Sequence, residues 1–211
     1  MTWALRATGA VIVMEVAYFM ASILYLIDLT ELAGNQTSFA SEEDLIFFAD
    51  QMNDLHTFVL LAYLLVIVVA YVINAVWIYR ATTNAAAMYS YPKRIGPGWA
   101  IGFHAIPILN FWKPYVSARQ TWNTSTRSDM DPDASAPRFL KVWWVLWLTL
   151  SALGILSQNF YSTYTLEGYR ASTIADLCNG PVSLMCAVLF YRFVRDVSKA
   201  QSAAGVEKVF A

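Results

Sequence analysis

Four stretches of the chain are long and apolar enough to cross a lipid bilayer, and they limit its fold more than any other feature. They cover about residues 7–27, 58–79, 142–160 and 174–193. A transmembrane helix needs about 20 mostly apolar residues, and it satisfies its own backbone hydrogen bonds inside the hydrocarbon. We therefore predict an all-α integral membrane four-helix bundle, formed as a single domain over 1–200 and followed by a tail over 201–211.

The composition excludes two other classes of protein. Hydrophobic residues make up 58% of the chain and charged residues only 14%, whereas an ordinary soluble domain carries about 25% charged residues. Intrinsic disorder requires the opposite balance. Nucleic-acid binding requires a basic surface, but 14 basic residues are here matched by 15 acidic ones. We therefore expect membrane lipids among the partners, and no nucleic acid.

The basic residues are sorted along the chain. In a four-span arrangement, every Lys and Arg except Arg170 falls on the side that holds both termini and the loop between the second and third spans. That loop carries Arg80, Lys93, Arg94, Lys113, Arg119, Arg127, Arg138 and Lys141. Basic loops remain in the cytoplasm under the positive-inside rule. The sorting therefore predicts that both termini and this middle loop are cytoplasmic.

The first loop, on the predicted outer side, contains a helix signal. Ser41 is followed by three acidic residues, which is a typical helix start. Leu45, Phe48, Met52 and Leu55 then follow at helical spacing and would form one apolar stripe. This pattern predicts an amphipathic helix on the outer surface, or an outward continuation of the second span.

A fifth apolar stretch, 99–109, is too short to cross the membrane. Pro107 lies inside it and Pro114 follows it, and both should interrupt a helix. Trp99 and Trp112 have the amphipathic rings that settle at the level of lipid head groups. We therefore predict a re-entrant or interfacial segment on the cytoplasmic side.

Basic side chains lie close in sequence to the 99–109 segment. Lys113, with Lys93 and Arg94, is predicted to face anionic lipid head groups. Arg80 and Asn84 are four residues apart, and this spacing places them on one helix face where the second span leaves the membrane. We therefore predict that this part of the middle loop is an interaction surface or a lipid-facing surface.

Three polar residues within the apolar spans are candidate intramembrane sites, namely Glu15, Asn74 and Asp176. Glu15 is placed near mid-bilayer, where a charge costs at least about 2.5–3.5 kcal/mol. It is predicted either to bind a proton or cation, or to be a neutral carboxyl bonded to a Tyr, to Asn74 or to a partner subunit. Asp176 lies close to the outer end of the fourth span, and we expect it to reach the interface. Asn179-Gly180-Pro181 should weaken or kink that span.

The sequence offers little for catalysis. Neither His56 nor His104 falls mid-span, where a haem ligand would be expected. The sequence shows no His, Cys and carboxylate cluster for a metal, no serine nucleophile motif and no phosphate-binding glycine loop. We expect a protein that is not an enzyme and has no cofactor or metal, although a bound lipid is compatible with it.

The middle loop carries a motif of thirteen ordered positions. They are Arg80, Asn84, Pro97, Gly98, Trp99, Gly102, Pro107, Asn110, Trp112, Lys113, Pro114, Tyr115 and Trp122. In this motif the chain resembles a bacterial membrane family known as domain of unknown function 4328. The chain departs from the family at Phe103-His104-Ala105, where other members often have more aromatic residues, and at Gln120, where others carry an acid. The resemblance implies a four-span protein of the bacterial inner membrane and implies no reaction.

Three function classes remain open at this point. The first is an accessory or structural subunit that packs against a larger inner-membrane complex, for example a respiratory or photosynthetic one, or against itself. The second is a sensor or regulator that binds a lipid head group or small ligand through the 97–115 segment. The third is a transporter or proton path through Glu15, which would require oligomerisation because four spans without a repeat do not form a pathway alone.

Overall fold

The computed structural model describes residues 2–35, 39, 41–89, 95–127, 129–163 and 165–205. These residues are 86% helical and contain no strand, which confirms the predicted all-α class. Lys93 and Arg94, and the end of the predicted tail from residue 206, lie outside the described residues.

Seven α-helices follow one another along the described chain. They are α1 (Thr2–Gly34), α2 (Glu42–Met52), α3 (Asp54–Met88), α4 (Pro97–Gly102), α5 (Lys113–Thr126), α6 (Arg138–Tyr161) and α7 (Leu166–Ala203). Four of these described helices, α1, α3, α6 and α7, are long and apolar enough to cross a membrane. Each contains one of the four predicted spans, so the membrane-helix character is confirmed. The helices continue beyond the predicted spans at both ends.

The contacts within the chain define two compact units. The first unit comprises Met1–Ala10, Val68–Val145 and Ala187–Ala211. The second unit comprises Val11–Ile67 and Leu146–Cys186. Each of the four long helices contributes residues to both units. The middle-loop motif therefore belongs to the first unit, whereas Glu15 and Asp176 belong to the second.

The second unit has an apolar core that joins α1, α2 and α7. Its buried members are Tyr25, Leu29, Leu32, Leu45, Ala49, Leu166 and Tyr169. The amide of Asp44 donates to Ser41 Oγ at 3.1 Å, so the predicted start of α2 is confirmed by its cap. The core therefore holds α2 against two of the long helices.

The face that α2 buries differs from the predicted stripe. Leu45 is buried as predicted, but Phe48 and Leu55 are exposed, and the side chain of Met52 lies outside the described residues. Ala49 is buried instead, which gives an i, i+4 contact face. Only Asn53 separates α2 from α3, so α2 and the extended second span are neighbouring but distinct helices.

The core of the first unit is aromatic. Trp77 is 1% exposed, and its ring meets those of Phe190 and Phe193 edge-on, with interplanar angles of 84°. Trp143 stacks on the same two rings at centroid distances of 5.6 and 6.3 Å. Edge-to-face and stacked pairs of this kind contribute about 0.5–1.5 kcal/mol each beyond their buried area. Leu140 is buried as well.

Helix α5 is polar yet largely buried in the first unit. Its buried residues are Pro114, Ser117, Ala118, Gln120, Thr121, Asn123, Thr124 and Ser125. A buried polar side chain must be hydrogen-bonded to avoid a large desolvation cost. Gln120 Oε1 accepts from the Ile95 amide at 3.0 Å, and Asn123 Nδ2 donates to the Ala134 carbonyl at 2.8 Å. The polar side chains of α5 therefore hold the loop segments on either side of it.

The short apolar stretch is a series of turns rather than one helix. After α4 the chain forms 3-10 turns at Phe103–Ala105 and Leu109–Phe111, with Pro107 between them. Pro97 is the first residue of α4 and Pro114 lies in the first turn of α5, where proline needs no amide partner. The expectation that Pro114 interrupts a helix is therefore wrong, because this proline begins one.

The weak point predicted in the fourth span does not end the helix. Helix α7 continues through Pro181 and runs on to Ala203. A Cβ atom on Gly180 would lie 2.5 Å from Cδ2 of Phe19, so the glycine allows α1 and α7 to approach closely. The first residues of the predicted tail, including Gln201, are part of α7.

Candidate functional site

The buried amide of Gln201 is the centre of a hydrogen-bond node in the first unit. Asn84 Nδ2 donates to Gln201 Oε1 at 3.1 Å. Gln201 Nε2 donates to the Ala81 carbonyl at 2.8 Å and to Ser125 Oγ at 2.9 Å. Gln201 is 0% exposed. The node therefore ties α3 and α5 to the last turn of α7.

The motif residues Arg80 and Asn84 do not share an environment. Asn84 is buried, whereas Arg80 is exposed. Residues four apart on a helix are about 40° apart around its axis, so one lies within the packed face and the other at its edge. Asn84 is therefore a packing residue inside the first unit, whereas Arg80 lies on its surface. Asn84 Oδ1 finds no hydrogen-bond donor among the described residues.

A second link joins the motif segment to α6. Trp144 Nε1 donates to the Phe111 carbonyl at 3.0 Å, and the Trp144 ring lies 6.5 Å from that of Tyr115. Burial raises the pKa of Tyr115 above its ordinary value, so its hydroxyl stays neutral at physiological pH. Asn110, next to Phe111 in the chain, is half-buried. These contacts hold the segment as a folded part of the first unit.

The outward side of the motif segment is apolar and aromatic. Trp99, Trp112 and Phe111 are 58%, 45% and 63% exposed, and Ile108 is 71% exposed. The Trp99 ring stacks on that of Phe103 at 5.3 Å, and Lys113 Nζ lies 5.7 Å over the same Phe103 ring. The segment thus presents indole rings and an ammonium group together, as expected of a lipid-facing surface.

His104 sits on the inner side of this segment. Its Nδ1 lies 3.2 Å from the Ile101 carbonyl, and its ring meets Tyr71 edge-on. Burial lowers the pKa of His104 below 6.5, against backbone hydrogen bonds that raise it. The imidazole is therefore neutral at neutral pH, and the cationic character of the segment comes from Lys113.

The motif glycines have different surroundings from those of Gly180. A Cβ atom on Gly98 would meet nothing within 4 Å, and one on Gly102 would reach Trp99 Cε3 at an ordinary 3.6 Å. Neither position has a positive φ, since Gly205 is the only glycine with one among the described residues. Neither a close contact nor a positive φ within the described chain therefore explains why Gly98 and Gly102 are glycines.

The carboxyl of Glu15 is buried in the second unit and is hydrogen-bonded to two hydroxyls. Tyr63 of α3 and Ser183 of α7 both donate to Glu15 Oε1, and Glu15 is only 5% exposed. A tyrosine partner was one of the predicted alternatives. Asn74 belongs instead to the first unit, where its Oδ1 accepts from Thr8 Oγ1 at 3.3 Å.

Asp176 has a matching pair of donors. Tyr18 of α1 donates to Asp176 Oδ2 at 3.0 Å, and Ser157 of α6 donates to Oδ1 at 2.7 Å. Ser157 Oγ also lies 3.1 Å from Ser172 Oγ. The half-buried carboxyl is therefore bonded to two neighbouring helices.

A stack of aromatic rings lies between the two carboxyls. Tyr18 and Tyr63 are parallel to within 6° at a centroid distance of 5.4 Å. His56 lies against Tyr18 at 5.1 Å and against Tyr25 at 5.0 Å. His56 Nε2 is 3.2 Å from Ser22 Oγ. Each carboxyl is thus bonded to one of two tyrosines whose rings are in contact.

Sequence reasoning missed Gln201, Tyr18 and Tyr63. A tyrosine in an apolar span does not by itself indicate a polar site, since its ring packs equally well against lipid or protein. The useful signal is indirect, because an acidic residue in a span requires donors on the facing helices. Gln201 lies 117 residues beyond Asn84, and nothing local marks it as a partner.

The described residues include no group of three or more His, Cys, Asp or Glu side chains arranged to hold a metal ion. The polar groups above are hydroxyls, amides and single carboxyls. Such an arrangement can bind protons, hold helices together and accept hydrogen bonds.

Residues 38–199 match the model of a protein family described as Domain of unknown function (DUF4328). No curated protein and no solved structure matches the chain. The matched region begins before α2 and ends within α7, and it contains every position of the middle-loop motif. Because the match covers well over half of the 211 residues, the chain belongs to this family.

Proposed function

We propose that the protein is a non-catalytic accessory or structural subunit of the bacterial cytoplasmic membrane, which packs against other membrane subunits or a second copy. One observation carries this proposal. The buried polar side chains of the motif region are used in internal packing, as in the bonds between Asn84 and Gln201 and between Trp144 and the Phe111 carbonyl. An enzyme would instead leave reactive groups converging on an open site.

The exposed surface of the motif segment supports the same proposal. Ile108 and Phe111 are more than half exposed, and exposed apolar groups of this kind are typical of protein or membrane contacts. The segment is already folded and is bonded to α6 through Trp144, so binding a partner there requires little ordering.

A photo-crosslinking amino acid at position 108 should test this proposal in native membranes. We expect Ile108 to crosslink to a membrane protein or to a second copy of the chain, because its side chain is 71% exposed. The matched control is the same amino acid at Val194, which is 0% exposed, and there we expect no intermolecular product. Purification in mild detergent as a monomer, with no protein crosslinked at 108, would contradict the subunit proposal.

A lipid-binding regulator is the second candidate, favoured by the pairing of exposed indoles with a cation. Trp99 and Trp112 are exposed, and Lys113 Nζ lies over the Phe103 ring, on which Trp99 stacks. We propose that this segment lies in the interface on the cytoplasmic side and contacts anionic head groups. Crosslinks from position 108 to lipid alone would favour this candidate over the subunit.

The proposed orientation places both termini and the middle loop in the cytoplasm, with α2 on the outer side. The support is the sorting of basic residues, of which the second unit holds only Arg170. Cysteine labelling should test it in a variant with Cys178 and Cys186 replaced by Ala. Asp50→Cys in α2 should react with an impermeant reagent on intact cells, whereas Asp131→Cys should react only after the membrane is opened. The reverse pattern would overturn the orientation.

A further inference from the structure

Glu15 and Asp176 are the two acidic residues of the predicted spans, and the hydrogen-bond donors to both carboxyls are hydroxyl groups. Glu15 accepts from the hydroxyls of Tyr63 and Ser183. Asp176 accepts from Tyr18 and Ser157. Each acid thus has one tyrosine and one serine hydroxyl as donors, and the donors come from α1, α3, α6 and α7. A charge in a span is costly unless it is paired, protonated or hydrated.

The basic groups of the second unit are engaged elsewhere. By sequence, its Lys and Arg content is Arg170 alone, and Arg170 pairs with Glu167 at 2.8 Å. His56 is the remaining basic side chain, and its two ring nitrogens lie within hydrogen-bond distance of Ser22 and Asn53. Among the described residues, neither Arg170 nor His56 therefore forms an ion pair with Glu15.

Hydroxyl partners suit a carboxyl that changes its protonation state. A hydroxyl donates to a carboxylate and can also accept a hydrogen bond from a carboxylic acid. A lysine or arginine partner could only donate, and it would fix the carboxyl as an anion. The donor set around Glu15 therefore accommodates both the acid and the carboxylate without a change in the packing of the helices.

We propose that Glu15 is an exchangeable proton-binding site, with Tyr63 and Ser183 as its hydrogen-bonding partners. The ligand is a single proton, which Glu15 takes up as its carboxylate becomes a carboxylic acid and releases to water in the reverse step. This site goes beyond the accessory-subunit function and does not depend on it.

The proton-binding site is assigned to Glu15 and not to Asp176 because Glu15 is the more deeply buried of the two carboxyls. Glu15 is only 5% exposed, and the titratable groups that face it are Tyr63, Tyr18 and Cys186, all neutral in their usual state. Asp176, by contrast, is half-buried.

Infrared spectroscopy of the full chain in lipid membranes should test the site directly. A protonated carboxylic acid gives a C=O stretching band separate from the amide and carboxylate bands. At neutral pH we expect such a band in the wild type, its loss in Glu15→Gln and its persistence in Asp176→Asn. The band should shift in D2O and decline at alkaline pH, because the proton exchanges with water.

A second variant keeps the test valid if Glu15→Gln does not fold. Tyr63→Phe retains Glu15 but removes one hydroxyl donor, and hydrogen bonds to an ionised acceptor are the stronger ones. At a given alkaline pH we expect the ratio of carboxylate to acid in Tyr63→Phe to fall about tenfold, equivalent to about 1.4 kcal/mol. The Tyr71→Phe variant, altered at an exposed tyrosine of the first unit, should match the wild type.

Two results would overturn the proposal. One is a carboxylic acid band that Glu15→Gln and Tyr63→Phe both leave unchanged, since the acid would then be another residue or Glu15 would be ionised throughout. The other is a Glu15 band that responds neither to D2O nor to pH, which would make Glu15 a permanently protonated structural group.

Discussion

Gln201→Ala should lower the free energy of unfolding by about 2–4 kcal/mol. The substitution removes the acceptor for Asn84 Nδ2 and the donor for both the Ala81 carbonyl and Ser125 Oγ. It also leaves a cavity at a fully buried position. The measurement is equilibrium unfolding in mixed detergent micelles, followed by tryptophan fluorescence.

The matched control for this prediction is Lys199→Ala on the same turn of α7. Lys199 is exposed, so its replacement should change the stability by no more than about 0.5 kcal/mol. Asn84→Ala combined with Gln201→Ala should cost less than the sum of the single variants, because the two share one hydrogen bond. A Gln201→Ala variant as stable as Lys199→Ala would show that the node does not stabilise the fold.

Gly180→Ala should destabilise the protein by about 1–3 kcal/mol through overpacking. The new methyl would lie 2.5 Å from Cδ2 and 3.2 Å from Cε2 of the Phe19 ring, and an aromatic ring anchored in α1 cannot swing away as a flexible side chain can. The expected result is a lower unfolding midpoint in the same micelle assay.

Gly154→Ala is the matched control for Gly180→Ala, because Gly154 also lies within a long apolar helix. A Cβ atom there would meet nothing within 4 Å, so alanine should be neutral or stabilise α6 by up to about 1 kcal/mol. Shortening the opposing ring with Phe19→Leu should recover part of the Gly180→Ala loss. Equal effects of the two glycine variants would contradict a close contact between Gly180 and Phe19.

The long helices could be predicted from the sequence because their signal is local. A run such as 58–79 has enough apolar residues to span a bilayer whatever its neighbours are. The start of α2 was likewise readable, since Ser41 caps the helix within its own first turn. The buried face of α2 could not be predicted from the sequence, because its neighbours in the fold bury Ala49 in place of Phe48.

The candidate sites were predictable in kind but not in detail. A charge-bearing residue in a span demands a partner, so bonding of Glu15 to a neighbouring helix followed from its position. The identity of Tyr63 and Ser183 did not follow, because they come from helices 48 and 168 residues away. Asn84 was assigned to a surface for the same reason, since its burial depends on Gln201 far along the chain.

The node around Gln201 also has a consequence for the order in which the protein is made. Domains form from the amino-terminal side during synthesis, and Asn84, Ala81 and Ser125 emerge long before the last turn of α7. Until that turn has been synthesised, Ser125 of α5 lacks the hydrogen bond from the side-chain amide of Gln201. A nascent chain therefore carries this incomplete core through the synthesis of α6 and most of α7, when a chaperone or a protease could recognise it.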